Sequence, residues 1–113
     1  MKDIRNDFEY KGNKYSVVFN FNVMEQIQEE YGTLEHWGEL TEANEPNAKA
    51  VIFGMWAMIN EGIDIKNEDE GTEVKPLTKK QVGRMITEIG LENATEMLND
   101  TFVDSTQSEQ KNV

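Results

Sequence analysis

One histidine, His36, and twenty-two carboxylates are the side chains of this 113-residue chain best suited to moving a proton or holding an ion. Cysteine is missing from the sequence, which excludes disulfides, thiolate catalysis and cysteine-based zinc sites together. His36 stands beside Trp37 in a short amphipathic segment, with no serine, cysteine or carboxylate at a spacing that implies a triad, so it reads as a structural histidine. With so few nitrogen and sulfur ligands, a metal site would have to be oxygen-rich and suited to calcium or magnesium, and the stretch around Asp64 is the one candidate. Setting Gly71 on the invariant glycine of an EF-hand loop puts Lys66 at the first ligand position and Leu77 at the last, where carboxylates are required. The match fails, and the acidic run reads as a solvated face.

Glycoside hydrolysis needs one carboxyl held neutral in an apolar pocket opposite an ionised partner. No acidic residue lies inside an apolar run where burial would raise its pKa. The eight glycines are scattered, and neither GxGxxG nor GxxxxGK[ST] occurs, so nothing marks a phosphate cradle. The sequence therefore predicts no catalytic, cofactor-binding or metal-binding residue, no cofactor, and no enzyme.

The elements that could position a binding surface are easier to read. Ala50 to Ile59, AVIFGMWAMI, carries no charge and one hydrogen-bonding side chain, the Trp56 indole, in a chain of formal net charge −11. A helix apolar on every face must be covered on every face, by its own fold or by a partner. The run is too short for a bilayer, which needs ~20 apolar residues. Eleven basic residues against twenty-two acidic ones disfavour nucleic acid and anionic membrane as partners, since both are held by cationic side chains. The charged start, Met1 to Asp7, has no apolar core of the signal-peptide kind, so a cytoplasmic setting is expected.

Around that run the sequence predicts an α+β, mainly helical domain over residues 1–103: an N-terminal β-hairpin and about five helices packed about a central apolar helix. Phe8 and Tyr10, then Tyr15, Val17, Phe19 and Phe21, alternate with polar residues about a Gly12-Asn13 turn. Asn22 is placed as N-cap of a first helix with Met24, Ile27 and Tyr31 inward and Gly32 as its stop. Thr33 caps a short second helix through Leu34, Trp37 and Leu40. Pro46 suits the first turn of the central helix, which is expected to run to about Glu61 and stop at Gly62. Ile63 to Lys75 reads as a mobile acidic loop. Thr78 caps a fourth helix bearing Val82, Met85, Ile86 and Ile89; Gly90 breaks it, and Leu91, Ala94, Leu98 and Phe102 stripe a fifth. Residues 104–113, DSTQSEQKNV, have too little apolar content to pack and read as a disordered polar tail. Gly54 and Gly83 lie inside helices at a cost of ~1 kcal/mol each, which close helix packing would explain.

In order and wording, the hairpin followed by FNFNVMEQIQEEYGTLEHWGELT, then AKAVIFGMWAMINEGIDI, then PLTKKQVGRMITEIGLENATEML, resembles the tail assembly chaperones of long-tailed bacteriophages and prophages of Gram-positive bacteria. The likeness covers roughly residues 8 to 103 and contains no active-site signature. It implies a small, non-enzymatic protein of the host cytoplasm, not found in the mature virion, that binds the tape measure protein and keeps it soluble while tail tube protein assembles. Tail tube protein and further copies of the chain itself are the other partners it suggests. On this reading the client groove is expected from Phe53, Met55, Trp56 and Met58 of the central helix, with Trp37 and Met85 nearby. A structural tail or neck component pairing through its hairpin edge, and an acidic regulatory protein mimicking nucleic acid charge, are the competing readings.

Overall fold

The computed structural model describes the backbone of residues 4–110 and the side chains of residues 6–104. Strands β1 (Ile4–Tyr10) and β2 (Asn13–Phe19) form an antiparallel hairpin in which Tyr10 faces Asn13 and Ile4 faces Phe19. The loop is therefore Lys11-Gly12, one residue earlier than the Gly12-Asn13 expected, with φ of 51° and 77°. Positive φ at both loop positions matches the right-handed twist of the flanking strands. Phe21 does not continue the strand period. It opens helix α1 (Phe21–Tyr31) and is 66% exposed. The cap is Asn20, not Asn22: its extended backbone lets its side-chain oxygen accept from Val23 N–H at 3.2 Å, while its amide donates to Glu61 at 2.6 Å. One asparagine thus closes the helix and ties it to the centre of the fold. Val23 and Ile27 are the buried residues of α1, with Met24 and Tyr31 half-buried.

Gly32, at φ 86°, ends α1 with its N–H on the Gln28 carbonyl, and Thr33 caps α2 (Leu34–Glu42) by accepting from His36 N–H, both as the sequence predicts. The central helix α3 departs from expectation at both ends. It is capped by Asn47, so Pro46 lies outside it, and it runs Ala48–Glu70, past Gly62, to a left-handed Gly71 at φ 67°. Gly62 is an interior contact. A Cβ there would lie 2.5 Å from the Ser16 carbonyl oxygen, so the missing side chain is what lets β2 lie on α3. Gly54 does the same for Trp37, whose ring edge would meet a Cβ at 2.5 Å, whereas Gly83 has only ordinary contact, Ile52 at 3.6 Å. Close packing accounts for Gly54 and Gly62 but not for Gly83.

The first half of the expected acidic loop is thus helix, and the second half is fastened to it. Residues 71–78 run back along α3 as an extended strap. Asn67 donates to the Val74 carbonyl and accepts from Val74 N–H, both at 3.0 Å. Asn60 does the same for Leu77, at 2.9 and 2.8 Å. The spacing explains the fit: the two asparagines are two helical turns apart, about 10.5 Å, and Val74 to Leu77 extended spans ~10 Å. Each amide takes the place of a neighbouring strand. The strap leads into α4 (Lys79–Ile89), closed by a capping box between Thr78 and Gln81, as the Thr78 cap predicts. Gly90, at φ 98°, turns the chain into α5.

Helix α5 spans Leu91–Gln110, so the backbone stays helical well past 103, where the polar tail was expected to begin. DSTQSEQ contains no proline or glycine to stop a helix already nucleated by Ala94, Leu98 and Phe102. The rest of the expected tail, 111–113, lies outside the described residues. The fold is α+β and mainly helical, a hairpin followed by five helices, as expected. One hydrophobic cluster holds it together, drawn from β2 and all five helices. Asn6 of β1 donates to the buried Thr101 hydroxyl at 2.6 Å, fastening the hairpin to α5. No helix among the described residues is long and apolar enough to cross a membrane.

Candidate functional site

The six residues expected to form a groove divide into two groups. Met55 and Met58 are 0% exposed, and Met85 is 2% exposed. They are core, unavailable to a partner, because α3 is covered by β2 and by the other helices. Trp37 is also buried. Its indole N–H donates to the Ala50 carbonyl at 3.0 Å, and its ring stacks edge-on to Phe102 at 6.3 Å. Beside it, Gly38, Thr41, Leu98 and Phe102 help close a void of ≈ 30 Å³, room for about one water. None of the four is part of an open groove.

Phe53 and Trp56 remain, one helical turn apart on α3, with ring centroids 5.5 Å apart. Phe53 is mostly covered: Tyr31 of α1 packs edge-on against it at 5.5 Å. Trp56 is half-buried, and together the two rings line an open cleft of ≈ 380 Å³ whose other wall is Gln26, Glu29 and Glu30 of α1. The strap delivers a cation to the same rings. Asn60, one turn beyond Trp56, holds Leu77, and two residues later the Lys79 ammonium sits over Trp56 at 4.7 Å and over Phe53 at 5.2 Å. Such an ammonium is drawn by the negative face of the ring.

Sequence reasoning found Phe53 and Trp56 but missed Glu29, Glu30 and Lys79. The signal for Glu29 and Glu30 lay in their helical register. Glu30, seven residues after Val23 and three after Ile27, lies in register with the buried stripe of α1, and Glu29 lies beside it; both line the cleft with Phe53 and Trp56 of α3. Lys79 carried no such signal, since its place depends on the strap, which the sequence reads as loop.

Electrostatically the cleft is one-sided. Glu29 and Glu30 are exposed and have no cation within 4.0 Å among the described residues, while Lys79 lies outside the residues lining the cleft. Beside them the Tyr31 hydroxyl is buried without a hydrogen-bond partner among the described residues. Burial, and then the Glu30 charge, pushes the Tyr31 pKa above its usual value. His36 is exposed on α2 and does not line this cleft. No group of three or more histidine, cysteine or carboxylate side chains among the described residues is placed to hold a metal ion. Chemically, the site offers π faces and negative charge, which can bind a cationic, partly apolar group. Compared with known protein families, curated proteins and solved structures, the chain matches none.

Proposed function

We propose that this chain is a non-enzymatic tail assembly chaperone that binds the tape measure protein of a long-tailed phage and keeps it soluble while the tail tube assembles. The observation that carries the reading is the Phe53–Trp56 cleft, a place where the apolar central helix reaches the surface, bounded by carboxylates. A client-binding protein needs such an apolar contact, and a net charge of −11 keeps a coat of bound copies from associating with one another. The likeness of the three segments quoted above to tail assembly chaperones supports the same reading. A long amphipathic client would engage many copies, each weakly.

Co-expression with the tape measure protein of the same phage tests this. Soluble client that co-purifies with the chain is the expected result. Insoluble client beside abundant, folded chain overturns the reading and favours a structural tail component. For that alternative the two-stranded sheet is relevant, because each strand has one edge not paired to another strand.

A further inference from the structure

We infer that the cleft between α1 and α3 seats an arginine side chain projecting from an apolar segment of the client, stacked on Trp56 and paired with Glu29 and Glu30. The inference rests on the client-binding reading and names the chemistry of the segment bound. Size gives the first argument. At ≈ 380 Å³ the cleft is near the lower end of ligand pockets, about 300–1,000 Å³, so it takes one long side chain and not a whole helix.

Charge gives the second. Two carboxylates without a cation partner among the described residues form one wall, and a half-buried indole with the rim of Phe53 forms the other. An aliphatic residue would satisfy only the second wall, and an acidic one would be repelled by the first. The third argument is internal. The same two rings already hold the Lys79 ammonium, at 4.7 and 5.2 Å, and Lys79 itself is not among the residues that line the cleft. The rings thus already attract one cation, and Glu29 and Glu30, which line the cleft with them, supply the charge to pair a second. Arginine fits better than lysine because its plane lies flat on an indole while its fork of N–H groups reaches two carboxylates at once.

Overlapping peptides tiling the tape measure protein of the same phage, titrated with the full chain, test the inference. Peptides that bind should carry arginine within one helical turn of apolar residues. Replacing that arginine by glutamine should weaken binding by about tenfold, and by lysine by a smaller factor. Glu29→Gln with Glu30→Gln, both exposed and so without effect on folding, should weaken it about three- to tenfold and flatten its salt dependence. Trp56→Ala, compared at a temperature where circular dichroism shows it folded, should weaken binding at least as much. If peptides bind but the glutamine replacements and the Glu29/Glu30 variant leave affinity unchanged, the inference is overturned and the client reading stands. If no peptide binds and the intact client does not co-purify either, both fall; if only the intact client binds, the Glu29/Glu30 variant is tested on it, and undiminished co-purification overturns the inference.

Discussion

Replacing Gly62 by alanine should destabilise the protein, although alanine is the better helix former. In an exposed helix interior the exchange gains about 1 kcal/mol. Here the new Cβ would lie 2.5 Å from the Ser16 carbonyl oxygen and 3.3 Å from its carbonyl carbon. Ordinary contact begins at 3.4 Å, so β2 must retreat from α3 by about 0.9 Å (3.4 less 2.5). The obstacle is strand backbone, tied into the β1 ladder and unable to rotate aside. Overpacking of this kind costs roughly 1–3 kcal/mol, and an unyielding neighbour places it near the upper end. The net loss is then about 2 kcal/mol, or roughly 8 °C in Tm for a domain of this size. Gly83→Ala is the matched control, because its Cβ would meet only Ile52 Cδ1 at 3.6 Å. It should gain about 0.5–1 kcal/mol and raise Tm by a few degrees. Urea and thermal unfolding of the two variants beside wild type decide the matter. A Gly62→Ala protein as stable as wild type would refute the close approach of β2 to α3, and a destabilised Gly83→Ala would refute the contrast between the two sites.

Asn60→Ala should cost about 1–3 kcal/mol, because it strips two hydrogen bonds from the part-buried Leu77 backbone, whereas Asn67→Ala, at an exposed pair, should cost less than about 1 kcal/mol. Amide exchange by NMR separates them: Leu77 N–H should exchange much faster in the first and Val74 N–H in the second, and unchanged protection would sink the strap. Tyr31→Phe should be neutral or stabilising by up to about 1 kcal/mol, since the hydroxyl it removes is buried without a partner; a clear loss of stability in urea would reveal a hydrogen bond. The same residue sets an alkaline limit. Its folded pKa is raised above the unfolded 10.0, so above pH 10 the unfolded chain releases the proton first and stability falls with rising pH until the folded pKa is passed. Urea midpoints should therefore drop between pH 9 and 11 more steeply in wild type than in Tyr31→Phe, and equal slopes would refute the burial of that hydroxyl.

Much of the fold was legible in local chemistry. The Gly32 stop, the Thr33 and Thr78 caps and the Gly90 break depend on residues within a turn of one another, and all stand as read. Failures fell where a distant residue decided the outcome. Gly62 looks like a stop until Ser16, forty-six positions earlier, makes it a packing site. The acidic run 63–70 has no apolar period after Ile65, yet it stays helical because Ile63 is anchored in the core and Asn67 is fastened from the strap. Asn20 and Asn22 both donate to Glu61, forty-one and thirty-nine positions on, but only Asn20 also accepts from Val23 N–H and so forms the cap. At the candidate site, hydrophobicity picked out α3 but could not choose which of its faces lines the cleft. Met55 and Met58 are as apolar as Trp56, and only the packing of β2 and the other helices decides which of them reaches the surface.

A helix apolar on every side was the reason to expect that part of it is left for a partner, and the way it is covered narrows that expectation to Phe53 and Trp56. Sheet, helices and strap between them bury ten residues of α3, which leaves too little open apolar surface for a client helix to lie along. On the proposed function, binding that depends on one aromatic corner has little area to draw on, so a modest affinity per copy and a selectivity set by charge are expected. That agrees with what a holding protein requires. If the chain is the tail assembly chaperone proposed above, a client to be released as the tube closes around it is better held by many weak contacts to spaced cationic side chains, each easy to exchange, than by one deep interface. The strap matters to this arrangement because it leads directly into Lys79, whose ammonium sits over Phe53 and Trp56. Release of Leu77 from Asn60 would free that ammonium to reach Glu29 and Glu30 and compete with the client. Asn60→Ala, already expected to loosen the strap, should therefore weaken client binding as well, and Lys79→Ala in the same background should restore it. Restoration by the second substitution is a result that simple loss of stability does not produce, and its failure would show that the strap serves the fold alone.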